Sequence, residues 1–273
     1  MNALPLDPPS PERQQALLTL LADDDPAVSG GIRAQLLAGL GTHRAWLGRQ
    51  RAHPDPAVRR AVRALLHGVE AAEADGRFLS FVLGQGEHLD LETAVWMWVR
   101  TRFPDCPVAG YQAQLDAWAG EARAMLPAGG TAIHALAALH RQLFERLEFR
   151  GNTENYFDPD NSYANRVMDR RTGIPIALCA VYLFLARRLR LPVTGIGMPG
   201  HFLCRYQSAR EEHYIDVFHH GQLLTRADCL RRLRHFAGEV DESALLPISS
   251  RRILQRMISN VQLIHKDRKE RAE

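Results

Sequence analysis

The sequence predicts an α+β protein in which a helical N-terminal region precedes a core of helices and one antiparallel sheet. Helical periodicity with two Asp-Pro pairs runs through the first 75 residues, and a thirteen-residue apolar run follows at 174–186. After that run the periodicity changes to two, between residues 192 and 218. An apolar run followed by alternating segments is typical of a buried helix packed on an antiparallel sheet.

Composition places the chain among ordinary globular proteins. Its 273 residues, 46% of them hydrophobic and 24% charged, suffice for one large or two small domains. The net charge is only +3, and the arginine clusters at 187–190 and 231–234 lie on helical patterns. Such clusters favour a solvated helix face over a nucleic-acid interface, which would combine basic residues with aromatic ones on one face.

The thiols and the first residues predict a cytoplasmic location. None of the four cysteines forms a CxxC pair, which is typical of reduced thiols in a cytosol. Residues 1–15 are polar and proline-rich, without the charged segment and apolar stretch of a signal peptide. The apolar run is shorter than the roughly 18 residues needed to span a bilayer. We therefore expect no membrane contact.

A weak repeat marks the N-terminal region. Asp-Pro-Ala-Val occurs at 25–28 and again at 55–58, thirty residues apart. Aspartate suits a helix N-cap and proline suits the first helical position, so each copy is predicted to be a helix, a corner and a second helix. This pattern resembles HEAT-type hairpins, with a plain helical bundle as the alternative. Because two repeats cannot bury their own apolar faces, we expect residues 1–76 to dock on the domain that follows.

The rest of the chain is predicted to be helical on both sides of a small sheet. Thr131 is a predicted cap, and Ser249 and Ser250 offer caps for the last helix. Residues 151–173 are predicted to form a polar loop, because they carry turn signals. Predicted strands lie at 192–198, 201–207 and 212–218, the central helix at 174–187, and further helices at 89–103, 107–126, 131–149, 225–239 and 249–273.

A histidine and an aspartate on successive predicted strands form the first candidate site. In the papain-like arrangement a cysteine at a helix N-terminus meets a histidine from one strand, and an aspartate or asparagine orients the imidazole. His201 opens one strand and Asp216 lies on the next. If the hairpin is centred between Ser208 and Arg210, His201 falls opposite residues 216–218, within roughly 5 Å of its cross-strand neighbour. The sequence therefore predicts a hydrogen bond between His201 and Asp216.

The nucleophile of such a site is out of place. Just after the glycine, where thiol enzymes of this kind carry their cysteine, this chain has Pro175. Cys179 lies one helical turn deeper, inside the apolar run. A cysteine in that setting usually behaves as a small buried hydrophobe, although a catalytic Cys179 remains the alternative.

Histidines crowd the same hairpin without predicting a metal site. His213, Asp216, His219 and His220 are close in sequence, but His213 and Asp216 alternate to opposite faces and the last two fall in a turn. Zinc requires ligands that converge. We therefore expect surface histidines, no metal and no cofactor.

The residues at 156–206 and 214–224 carry a family resemblance. They resemble the transglutaminase-like superfamily, and within it a bacterial branch whose core is often followed by tetratricopeptide-type helices. The resemblance covers roughly 78–265 and is densest at 149–224. Active relatives have Arg-x-Gly-x-Cys, then His, then Asp. Here Gly173 matches the glycine, Pro175 takes the place of the cysteine, and His201 and Asp216 match the other two residues.

The resemblance implies a domain organisation and a binding role. It implies a transglutaminase-like core at 77–248 and a C-terminal helix at 249–273 that begins a tetratricopeptide-like region. It favours a protein without the usual nucleophile that binds a protein or peptide partner. The alternative is an amide hydrolase or acyltransferase that uses Cys179, His201 and Asp216. The implied binding cleft is lined by Asn161, Ser162, Gly173, Pro175, Pro199 and Gly200.

Overall fold

The computed structural model of the protein describes residues 10–86, 89–209, 211–237 and 241–270. Arg210, at the predicted hairpin centre, and the ends of the predicted N-terminal and C-terminal regions (1–9 and 271–273) lie outside the described residues. The chain divides into two compact units, residues 1–76 and residues 77–273. The second unit thus includes the segment 249–273, which the family resemblance assigns to a separate C-terminal helix.

The first unit is helical throughout its described part. Its helices are α1 (Pro11–Leu21), α2 (Pro26–Ala38), α3 (Leu40–Arg49) and the start of α4 (Pro56–Gly84). They bury a core of their own, made by Leu17, Leu18, Leu21, Leu36, Trp46, Leu47, Val58, Val62, Leu65 and Leu66. The helical N-terminal region is therefore confirmed, while its HEAT-like character stays a prediction.

Both Asp-Pro pairs begin helices, as predicted. The Asp25 carboxylate accepts the Ala27 N–H at 2.8 Å, and the Asp55 carboxylate accepts the Ala57 N–H at 2.8 Å. Each aspartate thus satisfies a free N–H of the first helical turn, next to a proline that has no N–H to satisfy.

The second unit combines helices with two small sheets. Strands β1 (Arg150–Gly151) and β2 (Thr172–Gly173) pair in parallel. The antiparallel sheet has the order β3-β4-β5-β6. Its strands are β3 (Val193–Ile196), β4 (Leu203–Gln207), β5 (Glu212–Asp216) and β6 (Gln222–Leu224). The helices after α4 are α5 (Leu91–Arg102), α6 (Val108–Ala124), α7 (Ala132–His140), α8 (Ala164–Arg170), α9 (Pro175–Arg188), α10 (Arg226–Ala237) and α11 (Ser250–Glu270), and a π-helical turn, Arg141–Arg146, follows α7.

Helix α9 is the predicted central helix. Eleven of its fourteen residues are buried, and it packs against α6, α8, β3 and β4. Helix α11 joins the same core through Ile253, Leu254, Met257 and Val261. The predicted α+β architecture, with a buried helix on an antiparallel sheet, is confirmed.

Three predicted strand ends were wrong by two residues each. Strand β3 ends at Ile196, not at 198. Strand β4 begins at Leu203, not at 201, because Met198 to His201 form a turn in which the His201 N–H donates to the Met198 carbonyl at 3.3 Å. Strand β5 ends at Asp216, not at 218, because Val217–His219 form a 3-10 turn. Phe218 therefore does not continue the strand face shared by Tyr214 and Asp216.

Candidate functional site

His201 and Asp216 meet as the strand register predicts. His201 Nε2 lies 2.9 Å from Asp216 Oδ1 and donates to it. Cys204 pairs with Ile215 in the β4–β5 ladder, and continuing that register places residue 201 opposite residue 218. The predicted hydrogen bond is confirmed, although His201 precedes β4 by two residues and Asp216 is the last residue of β5.

A turn and an arginine hold His201. Pro199 and Gly200 occupy the two central positions of the turn, and Gly200 has φ of +69°, which suits a type II turn. From α11, the Arg256 guanidinium donates to the carbonyls of Gly197 at 2.8 Å, Met198 at 2.9 Å and His201 at 3.2 Å. Arg256 thereby fixes the backbone that presents the imidazole.

Asp216 is completely buried and has three side-chain donors. Its Oδ1 accepts from His201, while its Oδ2 accepts from His219 Nδ1 at 2.9 Å and from Arg232 Nη1 at 2.6 Å. Its Oδ1 also lies 3.4 Å from the His219 N–H, so Asp216 caps the 3-10 turn that brings His219 back to it. One carboxylate therefore connects β5, the following turn and α10.

The electrostatics of the site keep Asp216 ionised. Burial alone would raise the pKa of this carboxyl, but the hydrogen bonds from His201, Arg232 and His219 outweigh burial and hold the pKa well below its usual range. The carboxylate is thus a permanent acceptor that fixes which nitrogen of each imidazole carries a proton.

An aromatic surface adjoins the histidine. The Phe218 ring meets the His201 ring edge-on, with centroids 6.2 Å apart, and also contacts the Tyr156 ring at 6.1 Å. Tyr156 contacts Phe157 in turn, and these two rings are 38% and 56% exposed. Gly151 lies against Phe218, since a β-carbon there would come within 2.5 Å of the ring.

Cys179 lies below this surface and is fully buried. Its thiol faces the carbonyl oxygen of Phe202 at 3.7 Å, and the Cys204 thiol faces the Cys179 carbonyl oxygen at 3.9 Å. Burial raises the pKa of the Cys179 thiol well above its usual value, and the neighbouring Cys204 and Asp216 raise it further. A thiol in this setting stays protonated at neutral pH, whereas nucleophilic attack requires the thiolate.

The residues implied for a binding cleft fall into two groups. Asn161, Ser162, Gly173 and Pro175 are buried, while Pro199 and Gly200 are exposed. Asn161 organises the polar loop, because its amide donates to the carbonyls of Asn155 at 2.7 Å and Tyr156 at 3.2 Å. Pro175 occupies the first position of α9. The role of these six residues in binding stays a prediction.

One of the hairpin histidines, His219, approaches the His201–Asp216 pair, which the sequence does not predict. His201, Asp216 and His219 bring their donor atoms within 4.8 Å of one another. By contrast, the His213 ring stacks on Tyr206, one strand away, and His220 follows the turn as an exposed residue.

Sequence reasoning missed three residues that hold the dyad: His219, Arg232 and Arg256. A weak signal existed for His219, since Asp-x-x-His is the spacing of a capped single turn. The two arginines come from helices 16 and 40 residues after Asp216 in the chain, and no local pattern connects them to the sheet.

Together the fold and the site define a helix-on-sheet core of the papain-like kind that keeps a His–Asp pair and has no exposed thiol beside it. A sequence profile of the transglutaminase-like superfamily matches residues 109–259. Because that match covers more than half of the chain, the protein belongs to the transglutaminase-like superfamily.

Similar proteins come from bacteria and from animals. A UPF0162 protein of Xylella fastidiosa is 33% identical over 185 residues, which are 66% of this chain and 66% of that protein. A UPF0162 protein of Pseudomonas aeruginosa is 30% identical over 177 residues, 64% of each chain. F-box only protein 21 of Homo sapiens is 34% identical over 135 residues, which are 46% of this chain and 21% of that protein. No solved structure matches the chain.

Among the helices of the described residues, none is both long and apolar enough to cross a bilayer.

Proposed function

We infer that this chain is a transglutaminase-like protein without the usual nucleophile, and that it binds a protein or peptide segment beside His201. The observation that carries this proposal is the combination of Pro175 at the start of α9 with a fully buried Cys179. Transamidation or amide hydrolysis by the standard mechanism needs a thiolate within reach of the imidazole. A cytoplasmic location, without nucleic-acid binding, belongs to the same proposal.

The aromatic surface supports binding. Tyr156 and Phe157 expose large rings next to Phe218, and Phe218 in turn contacts His201. Exposed aromatic side chains provide large contact area at small entropic cost and are enriched at the centres of protein interfaces. The similarity to F-box only protein 21 is compatible with a protein-binding role.

A second candidate function is acid–base catalysis by the dyad itself. It is favoured by one observation: the His201 side chain keeps 15% exposure while its partner Asp216 is fully buried, which is how a general base is oriented. In that case His201 would accept a proton from a bound substrate, with Asp216 stabilising the imidazolium.

A peptide library displayed on phage tests the binding proposal. Selection on the full chain should enrich peptides whose affinity falls on the order of tenfold or more in Phe157→Ser. Leu263→Ser is the matched control, because Leu263 is 59% exposed on α11 and Phe157 is 56% exposed. Equal loss in both variants, or no enrichment, would contradict binding at this surface.

Two activity assays separate the alternatives. Incorporation of a fluorescent amine into casein and hydrolysis of a chromogenic anilide should both remain at background for the wild-type chain. Activity that disappears in Cys179→Ala would establish the thiol enzyme. Activity that survives in Cys179→Ala but disappears in His201→Ala would establish the acid–base enzyme.

A further inference from the structure

We propose that His201, Asp216 and His219 form a binding site for one divalent transition-metal ion of the zinc class. The proposal is independent of the binding function above, because it depends on the donor atoms of the dyad and not on the aromatic surface. The three donors are His201 Nε2, a carboxylate oxygen of Asp216 and His219 Nδ1, all within 4.8 Å of one another.

The chemistry of this donor set suits that class of ion. Two imidazoles and one carboxylate hold zinc or iron(II) in many proteins and leave coordination positions open for water or substrate. Ligand bonds of roughly 2.0–2.2 Å separate neighbouring donors by about 3 Å. Both imidazole nitrogens already lie 2.9 Å from a carboxylate oxygen of Asp216. Binding of an ion would move each of these ring protons to the other nitrogen of its imidazole, so that Nε2 of His201 and Nδ1 of His219 present lone pairs to the metal.

The site is rigid on two sides and open on the third. Asp216 is fully buried at the end of β5, and Arg256 fixes the backbone of His201. His219 is 55% exposed, so an ion can reach the donors from solvent. Because Asp216 and His219 lie on one 3-10 turn, their relative position is set by three residues of backbone.

Arg232 is expected to weaken metal binding, and this expectation provides a second test of the site. Its guanidinium donates to Oδ2 of Asp216 at 2.6 Å, so an incoming cation would share the carboxylate with Arg232. Two positive charges that share one carboxylate repel each other, so Arg232 must weaken metal binding. If Asp216 has only a structural role, replacing Arg232 will not raise the affinity of the protein for a metal ion.

The experiment titrates the chelator-treated full chain with Zn²⁺ by calorimetry and with Co²⁺ by visible absorption. One ion per chain is expected, with a cobalt d–d spectrum that saturates at the same stoichiometry. His219→Ala should lower the affinity for the metal on the order of tenfold or more, because losing a residue that only supports a metal ligand already has an effect of that size. His220→Ala is the matched control, since His220 is the adjacent exposed histidine and lies outside the donor set.

A third variant tests the role of the arginine. Arg232→Gln should bind Zn²⁺ more tightly than the wild-type chain, with circular dichroism confirming that it folds. Absence of saturable binding, equal affinity in wild type and His219→Ala (an adventitious ion only), or weaker binding in folded Arg232→Gln would each overturn the proposal.

Discussion

Asp216 and Arg232 form an ion pair in which Arg232 Nη1 lies 2.6 Å from Oδ2 of a completely buried carboxylate. The other carboxylate oxygen serves His201. The Asp216 carboxylate therefore links the His201 imidazole to Arg232 on α10. The orientation of His201 thus depends on a helix that is distant from it in the sequence.

Asp216→Asn should strongly destabilise the second unit. The amide removes the negative charge and keeps only one acceptor oxygen, so Arg232 and the two imidazoles lose the ionised group that they share. Removing one partner of a buried ion pair costs about 3–5 kcal/mol, and urea unfolding followed by circular dichroism measures the loss. The control is Glu242→Gln, which removes the exposed Arg226–Glu242 pair at 2.7 Å and should cost at most about 1 kcal/mol. Similar losses in both variants would contradict the anchoring role of Asp216.

Gly151→Ala should disturb the ring that contacts His201. A β-carbon at residue 151 would come within 2.5 Å of Phe218, so the ring must move, at a cost of about 1–3 kcal/mol. Gly120→Ala in α6 is the opposite control, because no atom lies within 4 Å of its β-carbon and alanine favours a helix by roughly 0.5–1 kcal/mol. Proton NMR of the His201 imidazole should shift in Gly151→Ala only. An unchanged stability and spectrum would refute the contact between residue 151 and the site.

Local signals in the sequence predicted most of the fold. Asp25 and Asp55 begin helices because cap and proline act within one turn, and the apolar run became α9 because it is too hydrophobic to be exposed. The His201–Asp216 pair followed from hairpin register, which two-residue periodicity determines.

The missing parts of the site depend on tertiary contacts. Periodicity did not show that the chain leaves the strand after Asp216, because the 3-10 turn is stabilised by the Asp216 side chain itself. The arginine cluster at 231–234, which includes Arg232, is predicted to lie on a solvated helix face, and no pattern singles out Arg256. A helical pattern does not reveal which arginine faces a buried carboxylate or a row of carbonyls.

His140 should make stability depend on pH between 6.5 and 4. Burial lowers the pKa of His140 from 6.5 to about 4, and its Nε2 lies 2.9 Å from the Tyr182 hydroxyl. In that window the unfolded chain binds a proton that the folded chain does not, so the free energy of unfolding falls as pH falls, by at most about 3 kcal/mol. Asp216 contributes at lower pH, because its depressed pKa stabilises the fold above its ordinary value of 3.8 and loses that contribution below it.

The variant His140→Gln isolates this effect, because glutamine keeps a partner for the Tyr182 hydroxyl and does not titrate. Urea unfolding at a series of pH values should give a shallower slope between 6.5 and 4 than the wild-type chain. A slope that is identical in the two proteins would show that other groups cause it.

Iodoacetamide labelling of the native chain should distinguish an inert Cys179 from an activated one. Cys106 is partly exposed, whereas Cys179, Cys204 and Cys229 are buried. Burial also raises the pKa of the Cys229 thiol to about 12, as it raises that of Cys179 well above its usual value. Since alkylation requires an accessible thiolate, mass spectrometry of the native protein should find label first on Cys106, and on the other three only after unfolding in urea.

The two interpretations of the site differ most sharply at neutral pH, where an activated Cys179 would react faster than Cys106 and lose that reactivity in His201→Ala. We expect Cys179 to stay unlabelled in the native wild-type chain and in native His201→Ala alike, because in this structure the thiol faces a backbone carbonyl and Asp216 is the acceptor for the imidazole.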